Sequence, residues 1–316
     1  MIHHGHSIAG WPVLLAILLV TGSSCRPSGS QRVCAIDMGS NSFRRIVGTF
    51  ADGAYTEFRI DSKTMGVGDD VEANGRISEP KLGEIEETLR GFATACREDG
   101  APAPVAVGTA AFRDAPNGGR VIEIASRAGV RMEIATEQRE SELAYLVGSL
   151  GRDGYAVIDN GSRSIELVAR GSDATRFVVF NLGYRIAYDQ LFLHSTDLSA
   201  AIAYFRDRLL QEAAKAPFMA GHSKLVGVEF MEMAEVLFTP ATDGQVFTLT
   251  ELKKRLDEIG YHGFGPLKET KDIDRALPRL VVAVTMMETF GYSEMALTSR
   301  QLGAGLIIEA GMHRGR

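Results

Sequence analysis

VCAIDMGSNSFRRIVGTF, residues 33–50, joins two apolar runs through one corner of small polar residues. The first run ends in Asp37, and the corner that follows comprises Gly39, Ser40, Asn41 and Ser42. This pattern predicts a strand, a tight turn and a returning strand. A turn of small residues brings backbone N–H groups together in a geometry that binds anions such as phosphate. Asp37 beside that turn is placed to hold Mg²⁺, which binds carboxylates together with phosphate oxygens. An ordinary hairpin is the alternative interpretation.

YAVIDNGSRSIELVA, residues 155–169, repeats this arrangement half a chain later. An apolar run ends in Asp159, and the corner that follows comprises Gly161, Ser162, Arg163 and Ser164. The chain then returns through an apolar run that begins at Ile165. Two such units predict two related domains that face one another across a cleft.

The segments DMGSNSF and DNGSRSIEL resemble the two phosphate-loop motifs of the exopolyphosphatase/guanosine pentaphosphate phosphatase (Ppx/GppA) family. The resemblance covers about Val33 to Ile308 and implies an α/β fold with two actin-like ATPase (ribonuclease H-like) domains around a central cleft. We place these domains at residues 32–150 and 151–316. The resemblance also implies Mg²⁺ held by Asp37, Asp159 and Glu166, with phosphate bound by the two corners.

Two further residues match positions that act in this family. Arg113 follows the predicted strand Val105 to Val107 and matches an arginine that faces the cleft. Glu140 stands eight residues before Gly148 and matches the glutamate that activates water. The alternatives are a surface ion pair for Arg113 and, for Glu140, a favourable interaction with the positive end of a helix.

Three functions stay open because two loops depart from the family pattern. The second corner has one glycine where the family has three, and Gly227-Val228-Glu229 begins a third loop without the family's later glycine and hydroxyl residues. Glu229 is expected to repel polyphosphate unless a metal intervenes. The first hypothesis is a hydrolase that releases phosphate from inorganic polyphosphate or guanosine pentaphosphate. The second is a catalytically impaired relative that binds a phosphorylated ligand or a protein partner in the same cleft. The third is a sugar-kinase-like user of ATP, against which the altered third loop argues.

The composition is that of an ordinary globular chain. The 316 residues carry a net charge of −6, so we expect no nucleic-acid partner, and a polyanionic substrate needs a local basic patch. The arginines near the loops either form that patch or lie on a solvated surface: Arg44, Arg45, Arg139, Arg163 and Arg185. The three cysteines, Cys25, Cys34 and Cys96, have no metal-binding spacing and predict no disulfide framework, so we expect Cys34 and Cys96 to pack as small hydrophobic residues. The sequence does not decide the oligomeric state, and a homodimer is one arrangement that it allows.

Residues 1–31 have the pattern of an export signal followed by a linker. Trp11 to Val20 is an apolar run too short to span a bilayer comfortably, and small residues lead from it to Cys25, a candidate lipidation point. This predicts an exported or membrane-anchored periplasmic protein, for which polyphosphate is the better substrate. The alternative is a mistaken start codon or an unstructured leader, with a cytoplasmic location.

The rest of the chain alternates predicted strands and helices. A helix is predicted from Ser78, with Pro80 just inside it, to Cys96, and a second from Arg139 to Gly148. Residues 66–74 are predicted to form a loop.

Overall fold

The computed structural model describes Met1 and residues 31–171, 174–238, 240–262 and 270–314. The first of its two sheets has five strands in the order β3-β2-β1-β4-β5. These strands are β1 Val33–Met38, β2 Ser42–Ala51, β3 Ala54–Thr64, β4 Val105–Gly108 and β5 Arg131–Ile134.

The second sheet has six strands in the order β10-β11-β9-β6-β7-β8. They are β6 Tyr155–Asn160, β7 Ile165–Arg170, β8 Thr175–Phe180, β9 Lys224–Val228, β10 Val246–Thr248 and β11 Glu294–Thr298. In both sheets the first strand pairs antiparallel with the second and parallel with the fourth. This repeated plan confirms the predicted pair of actin-like α/β units.

Eleven α-helices are described within these residue ranges, with a π-helical turn at Tyr188–Phe192 after the sixth and a 3-10 turn at Pro217–Met219 after the seventh. They are α1 Val67–Asn74, α2 Glu79–Glu98, α3 Ala110–Asp114, α4 Gly119–Arg127, α5 Glu137–Ser149, α6 Tyr184–Ala187, α7 Leu198–Ala213, α8 Met231–Leu237, α9 Leu249–His262, α10 Ile273–Phe290 and α11 Leu302–Arg314. The predicted start of α2 is confirmed, since the hydroxyl of Ser78 accepts a hydrogen bond from the N–H of Lys81 at 3.3 Å.

The predicted loop at residues 66–74 is wrong, because most of that segment forms α1. Glycines with positive φ stand at both ends, Gly66 at 58° and Gly75 at 66°, and they let the chain enter and leave the helix sharply. The carboxylate of Asp70 also accepts hydrogen bonds from the N–H and the hydroxyl of Ser78. Short helices bounded by glycine carry little apolar periodicity, which explains the error.

Helix α11 returns to the first sheet. Its apolar residues Leu302, Leu306 and Ile307 share one buried cluster with Ala35 of β1 and Ile46 of β2. The chain therefore crosses back after completing the second sheet. A boundary at residue 150 separates the two sheets, and as a domain boundary it stays a prediction.

Cys34 and Cys96 form a disulfide bond, so the expectation that they pack as separate small hydrophobic residues is wrong. Their Cα atoms lie 5.8 Å apart, inside the range that a disulfide can bridge. The bond joins β1 to the last turn of α2 and lies in a small buried cluster with Val47 and Ala101. Sequence spacing alone gives no sign that this strand and this helix bring the two thiols together.

Among the residues that the structure describes, no helix has both the length and the apolar character needed to cross a bilayer. The predicted leader and linker, including Cys25, fall almost entirely outside the described ranges. Export, lipidation and anchoring therefore stay predictions.

Candidate active site

A cavity of about 290 Å³ lies between the two sheets, where β1 and β6 end in their corners. Sites in open α/β folds lie beyond the carboxyl ends of strands, as this one does. Twelve of the thirteen predicted site residues line it: Asp37, Gly39, Ser40, Asn41, Ser42, Glu140, Asp159, Gly161, Ser162, Arg163, Ser164 and Glu166.

The first corner, residues 39–42, is held by the segment that leads into α1. The carbonyl of Asn41 accepts the N–H groups of Met65 at 2.8 Å and Gly66 at 3.0 Å, and the carbonyl of Ser40 accepts the N–H of Gly68 at 2.8 Å. The segment predicted to be a loop, residues 66–74, therefore supports the first corner through its N-terminal residues.

The second corner, residues 161–164, is held in the same way by the start of α6. The N–H groups of Gly183, Tyr184 and Arg185 donate to the carbonyls of residues 163, 161 and 162 at 3.0, 3.0 and 3.1 Å. A Cβ atom on Gly183 would lie 2.5 Å from backbone atoms of Arg163, so this close approach requires glycine. The corner keeps a defined shape although it has lost two of the family's glycines.

The two hairpins have the same register but place different charges opposite their aspartates. Asp37 of β1 faces Arg44 of β2, and the two side chains approach to 4.0 Å. Asp159 of β6 instead faces Glu166 of β7. Like charges directly opposite each other destabilise a pair of strands. A cation bound between these two carboxylates would therefore stabilise the second hairpin.

Three carboxyl groups that line the cavity near the two corners, those of Asp37, Asp159 and Glu166, carry raised pKa values. Burial raises the pKa of Asp37 to about 7, although the Arg44 guanidinium acts in the opposite direction. Burial also raises the pKa of Asp159 and of Glu166 well above their ordinary values, and neighbouring carboxylates, Glu140 among them, raise both further. The part of the cavity around Asp159 and Glu166 therefore has more carboxyl groups than positive charges to balance them.

These residues fit Mg²⁺ as partial ligands rather than as a closed cage. The Oδ1 atom of Asp159 is buried and has no hydrogen-bond partner among the described residues, whereas Glu166 accepts a hydrogen bond from the hydroxyl of Ser164 at 2.6 Å. No group of three or more His, Cys, Asp or Glu side chains within the described ranges is arranged to hold a metal ion. Mg²⁺ commonly binds through one or two carboxylates and completes its octahedron with water and phosphate oxygens.

Glu140 lies in the first turn of α5 and is held by Arg113. The Nη1 group of Arg113 donates to the Glu140 carboxylate and to the carbonyl of Ala135, both at 3.0 Å. Burial raises the pKa of Glu140, and the hydrogen bond from Arg113 lowers it in part. Arg113 is the one predicted site residue that does not line the cavity, because it lies behind Glu140.

Three of the five arginines expected near the loops are held in ion pairs away from the cavity. Arg45 pairs with Asp61 and Asp99, Arg139 with Glu133 and Glu309, and Arg185 with Asp189. Arg44 and Arg163 line the cavity. The local basic patch is therefore smaller than the sequence suggested.

Glu229 belongs to a cluster of charged residues whose other members, Glu232, Arg275 and Arg279, were not predicted from the sequence. Glu229 pairs with Arg44 at 3.0 Å and with Arg279 at 3.6 Å, so two arginines lie beside its charge. Glu232 pairs with Arg275 and Arg279, both at 2.8 Å. Arg275 and Arg279 are one helical turn apart on α10, and this i,i+4 spacing is the signal that the sequence did contain.

A statistical profile of the Ppx/GppA phosphatase family matches residues 51–265, more than half of the chain. The chain belongs to the Ppx/GppA phosphatase family. The matched residues include Glu140 and the second corner, whereas Asp37 and the first corner precede them. The resemblance inferred from the two corners is thereby confirmed.

A curated relative is the guanosine-5'-triphosphate,3'-diphosphate pyrophosphatase of Vibrio cholerae serotype O1, which is 25% identical over 309 residues. The match covers 89% of this chain but 59% of the relative, so the chain spans about three fifths of that protein's length.

Solved structures confirm the fold. The Aquifex aeolicus member of the Ppx/GppA family superimposes with a TM-score of 0.78 at 22% identity, covering 90% of this chain and 99% of that one. An exopolyphosphatase from Cytophaga hutchinsonii superimposes with a TM-score of 0.71 at 18% identity, covering 90% of this chain and 98% of that one.

Proposed function

We propose that this protein hydrolyses phosphoanhydride bonds and releases phosphate from inorganic polyphosphate or guanosine pentaphosphate. The observation that carries the proposal is that two phosphate corners meet the carboxylates of Asp37, Glu140, Asp159 and Glu166 in one cavity. Phosphoryl transfer needs little covalent chemistry from a protein, and its main requirements are positioning and neutralised charge. Family membership supports the same reaction class.

Each group has a proposed role in the reaction. The corners bind the terminal phosphate through backbone N–H groups and hydroxyls, and Asp37, Asp159 and Glu166 hold Mg²⁺. When bound, the ion neutralises charge on the phosphoryl oxygens. Glu140 accepts the proton of the attacking water as the new P–O bond forms and the anhydride P–O bond breaks. Arg113 orients the Glu140 carboxylate.

We also propose that the protein works outside the cytoplasm, which favours inorganic polyphosphate over the guanosine nucleotide. Disulfide bonds persist in oxidising compartments and are rare in the cytosol, so the bond between Cys34 and Cys96 supports this location. The pattern of the first 31 residues supports it independently. Anchoring through Cys25 and assembly as a homodimer stay predictions.

The test is phosphate release from long-chain polyphosphate by the full chain, with Mg²⁺ and with Mg²⁺ replaced by a chelator. Glu140→Gln removes the proposed base and should lower the rate by about 10²- to 10⁴-fold. Glu137→Gln is the matched control, because Glu137 lies in the same helical turn but its side chain is exposed. It should leave the rate nearly unchanged.

Other outcomes have defined meanings. Equal rates for wild type and Glu140→Gln would contradict the assignment of the base. Release that persists in the chelator would contradict the role of Mg²⁺. No release from polyphosphate or guanosine pentaphosphate, with binding of either retained, would favour a relative that binds phosphorylated ligands without hydrolysing them.

A further inference from the structure

Glu229 meets Arg44 across the cleft. Arg44 extends from β2 of the first sheet, and Glu229 follows β9 of the second. The Arg44 side chain is 27% exposed, lines the cavity and approaches Asp37 at 4.0 Å. A guanidinium that faces a cavity beside two corners of small residues is well placed to bind an anion, since its planar donors match phosphate and carboxylate oxygens. In this structure the anion that it binds is Glu229 of the protein itself.

The backbone at Glu229 is strained. Its φ is +67°, in the left-handed region, which costs a residue with a side chain on the order of 1 kcal/mol. Such conformations persist where the surroundings impose them, and they cluster at functional sites and switches. Arg279 contacts Glu229 in this conformation. The Arg279 guanidinium lies 3.6 Å from the Glu229 carboxylate and 4.1 Å from the centre of the Tyr184 ring.

Arg279 does not depend on Glu229 for its charge balance. It is fully buried, and Glu232 pairs with it at 2.8 Å. If the Glu229 carboxylate moves away, Arg279 keeps one partner. Arg44 has ion pairs with Glu229 and, at the limit of contact, with Asp37 among the described residues. When Glu229 moves, Arg279 therefore keeps the close carboxylate of Glu232, whereas Arg44 keeps the longer approach to Asp37.

We propose that Glu229 is an internal competitor that occupies the anion position of Arg44 until a phosphate chain displaces it. The inference rests on the proposed function for the chemistry of the ligand, a chain of phosphates. Displacement exchanges one carboxylate for a more highly charged anion at Arg44, and it separates the two sides of the cleft at this point. Glu229 thus sets the affinity of the cleft for phosphate ligands.

The experiment measures binding without hydrolysis. Isothermal titration calorimetry of the full chain with sodium tripolyphosphate, in a chelator at fixed ionic strength, compares wild type with Glu229→Gln. Glutamine keeps the size and shape of the side chain and removes its charge. We expect it to bind tripolyphosphate about tenfold more tightly, because the ligand no longer has to displace a carboxylate from Arg44.

Two further comparisons isolate the contact with Arg44. In an Arg44→Gln background, Glu229→Gln should change affinity by less than about threefold, since the two residues act through one contact. Glu232→Gln removes a carboxylate of the same cavity that pairs with Arg275 and Arg279 instead, and it should give a much smaller gain than Glu229→Gln.

Several results would overturn the inference: weaker or unchanged binding by Glu229→Gln, an equal gain without Arg44, or no binding by any variant. Phosphate release with Mg²⁺ is measured separately. Release without the gain at Glu229 means that the inference fails and the proposed function stands. Tighter binding by Glu229→Gln without phosphate release means that the inference stands and the proposed function fails.

Discussion

The disulfide bond between Cys34 and Cys96 should contribute a large part of the stability of the first sheet and its helices. The bond closes a loop with a sequence separation of 62 residues. In the loop-entropy description, a cross-link of this span stabilises the folded state by about 4 kcal/mol. We therefore expect reduction, or the double substitution Cys34→Ala and Cys96→Ala, to lower the urea midpoint of this half of the protein markedly. Both side chains are fully buried, so alanine adds the smaller cost of a cavity.

Two assays together check this prediction. Urea unfolding with and without reductant measures the stability change, and Cys25→Ala is the control that should leave the effect of reductant intact. Thiol titration of the denatured, unreduced protein should detect Cys25 alone. Detection of all three thiols in protein purified without reductant, or a urea midpoint that reductant does not move, would refute the reasoning. Detection of all three thiols would also remove one support for a location outside the cytoplasm.

Two further predictions concern the site. A general base works only when it is deprotonated, and burial raises the pKa of Glu140. The acidic limb of the pH profile, in which kcat/KM for phosphate release rises with pH, should therefore lie at a higher pH than the pKa of an ordinary glutamate. Arg113→Gln removes a hydrogen bond that lowers this pKa, so a pH–rate profile should show the limb at higher pH; a move to lower pH would count against Glu140 as the base. Gly183→Ala pushes a Cβ atom into the second corner and should cost about 1–3 kcal/mol of stability in urea unfolding, together with activity. Gly83→Ala, an exposed position in α2 with no atom near the new Cβ, should instead be neutral or stabilising, and similar losses in both variants would contradict the steric argument.

The fold could be predicted largely because its two halves repeat one local pattern. An apolar strand that ends in an aspartate, followed by a corner of small residues, sets a hairpin and the start of a sheet through short-range chemistry. The predicted helices with clear apolar spacing and a capping residue, such as α2 after Ser78, were also found. The return of α11 to the first sheet depends on packing between distant segments, and no local pattern encodes it.

The candidate site was predicted in part for the same reason. Residues in the corners meet because both corners end strands that face one cleft. The supports of the corners were missed. The segment before α1 and the start of α6 act through backbone N–H groups, which every residue except proline carries whatever its side chain. The disulfide was missed because two isolated cysteines in a strand and a helix give no pairing information until the helix is placed on the sheet.

The different chemistry of the two hairpins could have been read from their register. Arg44 stands seven residues after Asp37, and Glu166 stands seven residues after Asp159, so hairpins with equal corners place them in equivalent positions. The first hairpin thus supplies a cation opposite its aspartate, and the second supplies an anion. A ligand with both a metal ion and a chain of phosphates complements this pair, since the ion suits the second hairpin and the phosphates suit Arg44. Glu229 offers Arg44 a carboxylate in the absence of such a ligand, and the same asymmetry therefore connects the proposed hydrolysis with the proposed competition at Arg44.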